Sequence, residues 1–174
     1  MQVPLVMTVI GRDRPGLVEL VARLVADHGG NWLESHMCRL GGEFAGILRV
    51  ILPSDREPAL VAALQALSGQ GLTVVTRRDS PAATGTPAAA LIELVGQDRP
   101  GIVREISAAL ARQGVNVEEL VTECSSAPMS GETLFKARAT LGLPASCDLA
   151  ALRAGLEKIA ADLLVDISIE PVTK

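Results

Sequence analysis

Two copies of one short motif hold the residues of this chain whose types and spacing could bind a charged group. The first copy is Gly11-Arg12-Asp13-Arg14-Pro15-Gly16, and Gly96-Gln97-Asp98-Arg99-Pro100-Gly101 repeats it 85 residues later. Each copy follows an apolar run and precedes apolar residues spaced three and four apart, so each connects a strand to a helix. Backbone N–H groups at the start of a helix lack partners and lie at the positive end of its dipole. Each motif therefore predicts a turn that holds an anion or a carboxylate.

Each motif position also suits a purely structural role. The aspartate could cap the following helix, which is worth about 1 kcal/mol. The proline suits the first helical turn. The second glycine could let the backbone come close to a bound amino acid, or it could serve only the turn. The arginines could pair with a carboxylate through two hydrogen bonds or remain solvated. The residues concerned are Asp13 and Asp98, Pro15 and Pro100, Gly16 and Gly101, and Arg12, Arg14 and Arg99.

The repeat continues beyond the motif in the same register. Three further pairs stand 85 residues apart: Gly29 and Gly114, Asn31 and Asn116, and Glu34 and Glu119. Repeat arrays need three or more copies to bury a continuous core, so two copies indicate two small domains. We expect a first domain at 1–78, a linker rich in Pro, Gly, Ser and Thr at 79–87, and a second domain at 88–172.

Periodicity predicts the same order of elements in both halves. The order is strand, helix, strand, strand, helix, strand, which is the ferredoxin-like βαββαβ plan. The fold class is therefore α+β, with two such units in tandem, each an antiparallel four-stranded sheet with both helices on one face. A six-residue insertion at 125–130 lengthens the second hairpin loop, either through drift in a tolerant loop or as a contact for a ligand or partner. The predicted strands are 3–10, 31–40, 43–52, 72–76, 88–95, 116–124, 132–141 and 163–170, and the predicted helices are 15–28, 58–67, 100–113 and 148–162.

Composition argues against several classes of function. Residues 1–80 carry eight basic and eight acidic side chains, and residues 81–174 carry eight and twelve, so neither half offers the basic field that nucleic acids require. We expect no direct binding of nucleic acid. No apolar run is long enough to span a membrane and no signal core follows the N-terminus, so we expect a cytoplasmic protein. Three cysteines without a CxxC pair predict buried free thiols and no metal site.

The motif and its surroundings resemble a known family. Asp-Arg-Pro-Gly followed by Leu or Ile and Val, then a helix and Gly-x-Asn, is similar to the ACT domain, a small regulatory module that binds amino acids. The stretches Gly30-Asn31-Trp32-Leu33-Glu34-Ser35 and Arg39-Leu40-Gly41-Gly42-Glu43-Phe44-Ala45-Gly46 resemble the first ACT unit of the glycine-cleavage-system transcriptional repressor family. The resemblance covers nearly the whole chain.

The resemblance implies a protein that senses an amino acid, glycine in the named family, and acts on a transcription factor without touching DNA. Asp13 and Asp98 could accept hydrogen bonds from an amino acid's ammonium group, while the N–H groups after each motif proline hold its carboxylate. Asn31 and Asn116 can donate and accept together, which suits a zwitterion, although both could be turn residues. Because Gln97 replaces Arg12, the two sites need not be equivalent.

Two other functions stay open at this level. The chain could serve in trans as the regulatory subunit of an enzyme of amino-acid or one-carbon metabolism, or it could be a structural adaptor that binds no metabolite. No catalytic triad, phosphate-binding loop or dinucleotide fingerprint is visible, so we expect neither an enzyme nor a cofactor. Domains of about 80 residues have small cores, so we expect the units to pack together, within the chain or across a homodimer, with a motif loop at the interface.

Overall fold

The structure is a computed structural model and describes residues 1–79, 88–126 and 131–172. The chain forms two compact units, one on each side of residues 80–87. Within the described residues, no helix is long and apolar enough to cross a membrane. The same residues contain no cluster of His, Cys, Asp and Glu side chains that could hold a metal ion.

The first unit contains four strands, two α-helices and one short 3₁₀ helix. In chain order the elements are β1 (Gln2–Arg12), α1 (Leu17–Asp27), β2 (Asn31–Leu40), β3 (Glu43–Pro53), α2 (Glu57–Ala66), the 3₁₀ helix (Leu67–Gln70) and β4 (Leu72–Arg78). The strand order is β2-β3-β1-β4. Every pairing is antiparallel, as the sequence predicts. The hairpin between β2 and β3 turns at Gly41 and Gly42, which both have positive φ.

Both helices of the first unit cover one face of its sheet. Alternate residues of β1, namely Leu5, Met7 and Val9, are buried against the helices because successive strand side chains point to opposite faces. Val21 and Leu64 are the corresponding core residues of α1 and α2. The other face of the sheet carries no helix of this unit, and we call it the open face.

The second unit repeats this architecture. Its elements are β5 (Ala88–Gln97), α3 (Ile102–Arg112), β6 (Asn116–Ser126), β7 (Thr133–Leu143), α4 (Leu149–Leu163) and β8 (Val165–Val172), and its strand order is β6-β7-β5-β8. The core again joins one face of the sheet to both helices, with Ile92 and Leu94 from β5, Ile106 from α3 and Leu156 from α4. The other face is the open face of the second sheet. The two-unit α+β fold is therefore confirmed.

Three sequence-based expectations meet the structure only in part. Asp79, placed in the linker, is bound to the first unit, because its N–H donates to Pro4 O at 3.0 Å. Residues 80–87 lie outside the described residues. Ser125 and Ser126, placed in the loop insertion, extend β6, and residues 127–130 also lie outside. The expectation of buried thiols is wrong for Cys38 and Cys124, which are exposed on the outer strands β2 and β6.

Candidate functional site

The first motif turn joins the end of β1 to α1 and is attached to the neighbouring hairpin. The backbone N–H of Asp13 donates to Gly42 O at 2.9 Å. Its carboxylate Oδ2 lies 2.6 Å from Arg39 Nε, and the Asp13 side chain is only 31% exposed. The Asp13 carboxylate is therefore already engaged by a guanidinium, so a ligand ammonium would have to share or displace that partner.

The opposite side of the same turn is packed against the segment that leads into β4. Arg14 Nη2 donates to Gln70 O at 3.3 Å. A Cβ at Gly11 would overlap Gly71 O and come within 3.2 Å of Leu72 Cα. The first glycine of the motif is thus the one that permits a close backbone approach, and the group it approaches belongs to the protein.

The second motif glycine adopts a backbone conformation that favours glycine. Gly16 is the N-cap of α1 and has φ 92°, in the left-handed region. A Cβ there would meet no protein atom within 4 Å, so the close approach to a bound amino acid stays a prediction. The space beside the turn at Gly16 is therefore open, and the positive φ of this residue favours glycine.

Two of the structural roles suggested for the turn residues are wrong. Pro15 and Pro100 precede the helices, which begin at Leu17 and Ile102, and do not lie in a first helical turn. The aspartates are not helix caps either, since the cap position is a glycine and no side chain caps either helix. The first helical bond runs from Leu20 N to Gly16 O at 2.9 Å, so the three preceding N–H groups have no partner within the helix.

The second motif turn has the same backbone but different side-chain partners. Gly101 has φ 102°, and Asp98 N donates to Thr133 O at 2.9 Å. Arg99 Nη2 donates to Gln97 Oε1 at 3.1 Å, which ties the arginine to its own turn. Cys124, opposite Phe135, occupies the position that Arg39 holds opposite Phe44 in the first unit. Asp98 consequently has no charged partner among the described residues.

The two asparagines lie far from the turns of their own units, contrary to expectation. Asn31 pairs with Ile51, which pairs with Pro4 near the start of β1, whereas the motif turn follows its end. Arg12 lies eight residue steps along β1 from Pro4, or roughly 26 Å at the usual rise. Asn116 likewise pairs with Gly142 at the far end of the second sheet. The prediction relied on each asparagine following a glycine-ended helix in the sequence. That helix returns the chain to the end of the strands opposite the motif turn.

The sequence did not predict a charged cavity that lies on the open face of the first sheet. It measures about 310 Å³ and has Val6 and Ile47 among its apolar residues. Arg49 lines it from β3, with Nε 2.7 Å from Asp79 Oδ2 and Nη1 3.4 Å from Glu34 Oε1. The Nε atom is buried but is not aligned for a hydrogen bond, so the contact with Asp79 is an ion pair only. An arginine in the otherwise apolar run of β3 was the signal that could have indicated it.

The fold and the paired turns define a tandem ACT-domain protein. ACT-domain family models match residues 3–76 and residues 90–135, and the chain belongs to that family. Both matches include a motif turn, which confirms the resemblance that the motifs suggested.

Whole-chain relatives narrow the likeness further. The chain is 27% identical over 171 residues to the glycine cleavage system transcriptional repressor of Escherichia coli strain K12, covering 97% of this chain and 90% of the relative. A crystal structure of an unknown protein from Galdieria sulphuraria is 30% identical, covers 99% of this chain and 100% of its own, and has a TM-score of 0.85. A structure provisionally named as a glycine cleavage system transcriptional repressor has 22% identity, coverages of 100% and 99%, and a TM-score of 0.73, which shows a shared fold. The named whole-chain relatives are transcriptional repressors, and neither is named as an enzyme.

Proposed function

We propose that this chain is an amino-acid-sensing regulator that controls glycine cleavage or related amino-acid metabolism in the cytoplasm by binding a protein partner. The observation that carries the proposal is the duplicated strand–turn–helix, in which a left-handed glycine leaves outward space beside unpaired helical N–H groups. Whole-chain similarity to a named glycine cleavage repressor supports the regulatory role.

The turn has the groups needed to hold the head of an amino acid. N–H groups that follow Gly16 or Gly101 would bind the carboxylate, since they lie at the positive end of a helix. The motif aspartate would accept hydrogen bonds from the ammonium group, and the motif arginines would supply further charge. Asn31 and Asn116 keep a predicted role only in a site assembled from more than one turn, because neither lies beside the turn of its own unit.

The second turn is the better candidate for the ammonium contact. Asp13 is already paired with Arg39 at 2.6 Å, whereas Asp98 is exposed and has no charged partner in the described part of the chain. Binding an ammonium at Asp98 breaks no existing ion pair. Binding one at Asp13 must compete with a guanidinium, which is permanently charged.

Action through a protein partner rather than DNA follows from the charge distribution. The chain has 16 basic and 20 acidic residues, so contact with DNA would have to overcome a net charge of −4. We expect no salt-sensitive binding in fluorescence anisotropy with duplex DNA. Sub-micromolar affinity that weakens with salt would contradict action through a protein partner alone.

A thermal-shift titration with glycine and a panel of other amino acids tests the sensing function. Ligand at 100 times its Kd stabilises the folded state by about 2.7 kcal/mol, a readily measured shift. We expect Asp98→Asn to weaken the response about tenfold or more, through loss of a charged hydrogen bond. Asp13→Asn is the matched control and should retain the larger part of the response.

Each result of that titration has a definite meaning. Loss of the response in Asp13→Asn with an unchanged Asp98→Asn would move the site to the first turn. If both variants respond as strongly as the natural protein, neither aspartate is an ammonium ligand. No response to any amino acid would contradict the sensing function and favour an adaptor that binds proteins alone.

A further inference from the structure

Corresponding rows of residues on the two open faces differ in charge. In the first sheet, Glu34, Arg49, Val6 and Arg77 lie side by side across β2, β3, β1 and β4, and we call these four residues the basic row because it has two cations and one carboxylate. In the second sheet, Thr140, Leu91 and Glu170 occupy the same register across β7, β5 and β8. Glu119 of β6 lies beside Thr140, and these four residues form the acidic row.

The charges of these rows are only partly balanced within their own units. Arg49 is paired with Glu34 and Asp79. Arg77 is exposed and has no ion-pair partner among the described residues, and the same is true of Glu119 and Glu170 in the part of the chain that the structure describes. The basic row thus retains one free cation, and the acidic row retains two free carboxylates, counted over the described ranges.

Apolar side chains surround the charges on the first sheet. Val6 stands between the two arginines, and the next row places Ile47, Thr8 and Val75 side by side. Ile47 is 49% exposed and Val75 is 52% exposed. Apolar β-branched side chains on a sheet normally contribute stability when another surface covers them. The open face therefore combines exposed apolar area with a free arginine.

The acidic row offers the complementary arrangement in the same frame. Leu91 stands where Val6 does, and Glu170 stands where Arg77 does. Two sheets that pack face to face lie about 10 Å apart, a distance that an arginine and a glutamate can span together. Facing rows in matching order would place Val6 against Leu91 and Arg77 against Glu170. Glu34, which is already paired with Arg49, would lie opposite Glu119.

We propose that the open face of the first sheet binds the open face of the second sheet of another copy of this chain, with the basic row against the acidic row. The partner is a second copy because the complementary row, in matching register, is on the same sequence. The contact joins unlike surfaces, so every copy offers one of each. Arg77 and Glu170 form the intermolecular ion pair at the edge of the contact.

Charge reversal combined with sedimentation velocity over a concentration series tests this interface. Arg77→Glu should weaken self-association about tenfold or more, because the substituted carboxylate would face the Glu170 carboxylate across the contact. Glu170→Arg should weaken it similarly by opposing two cations. The double variant Arg77→Glu with Glu170→Arg should recover association to within about threefold of the natural protein, because the pair is restored in reverse.

An equimolar mixture of the two single variants gives the sharpest result. Each variant alone should remain largely monomeric, while the mixture should associate, because both contacts between unlike copies again join opposite charges. Lys158→Glu, the same charge change at an exposed position of α4 on the helix layer, should associate like the natural protein. A natural protein that is monomeric throughout, single variants that associate normally, or a mixture and double variant that stay monomeric would each overturn the proposal.

Discussion

The first unit fills the space beneath its first helix with Leu48 and Trp32, whereas the second has Ala139 and Val117 at the same positions in the sheet. An apolar cavity of about 50 Å³ lies there in the second unit, lined by both residues and by Ile106 of α3. The backbone plan, the paired turns and the left-handed glycines are kept in both units. Packing volume can therefore diverge while the turn geometry stays fixed, because the strands and caps determine that geometry.

The largest expected effect comes from making the first unit resemble the second. Leu48 is 1% exposed, and Leu48→Ala removes buried methyl groups and leaves a void. We expect the free energy of unfolding of the first unit to fall by about 3 kcal/mol. Trp32 is the single tryptophan and packs against the core of the first unit, so its fluorescence during urea denaturation reports that unit.

A neighbouring substitution provides the control for that experiment. Ile47→Ala removes a similar side chain from the open face, where Ile47 is 49% exposed, and should cost less than about 1 kcal/mol. Equal losses for the two variants would mean that the helix-covered face does not dominate the stability of the first unit.

The reverse change in the second unit should have a smaller effect of opposite sign. Ala139→Val adds two methyl groups beside the apolar cavity, and we expect the second unit to gain about 1 kcal/mol. Circular dichroism reports both units, so the part of its transition that belongs to the second unit should move to higher urea, while the midpoint of the Trp32 fluorescence transition should not move. A loss of stability would show that the cavity cannot accept a side chain from this strand position without strain.

Sequence reasoning reached the fold because repetition and periodicity both depend on local backbone chemistry. Gly41 and Gly42 indicated the hairpin that they form, and the alternation of Leu5, Met7 and Val9 in β1 appears as burial on one face. Local signals also located both motif turns between a strand and a helix.

The candidate site was less predictable because its contacts join distant parts of the chain. Arg39 reaches Asp13 only when β2 and β3 fold back beside the turn, and no spacing rule indicates that pair. The asparagines were placed wrongly for a related reason, since α1 returns the chain to the end of the strands opposite the motif turn before Asn31. Strand register, which decides both points, was not available from periodicity.

The smallest expected effect concerns an ion pair that the first unit has and the described part of the second lacks. Arg78 of β4 donates to both carboxylate oxygens of Glu57 in α2, with Nε–Oε1 2.8 Å and Nη2–Oε2 2.7 Å. Pro171 holds the position of Arg78 in the second sheet, and the corresponding helix α4 is instead capped by Asp148, which accepts from Ala150 N and Ala151 N. The contact between this helix and β8 in the second unit is made instead by Arg153, whose Nη2 donates to Ile169 O at 2.7 Å.

Hydrogen bonding to Arg78, aided by its charge and opposed by burial, lowers the pKa of Glu57 below its ordinary value. A carboxyl with a lowered pKa in the folded state stabilises that state above its ordinary pKa, and this contribution disappears as the pH falls through the lowered value. Glu57→Gln should thus lower the Trp32 unfolding midpoint slightly at neutral pH, and the difference from the natural protein should vanish in strong acid. The effect is small because Arg78 is 71% exposed and solvent screens the pair. At every pH, the substitution should leave the transition of the second unit where it is in the natural protein. If the stability of the natural protein relative to Glu57→Gln grew as the pH fell, the charged pair would destabilise the first unit.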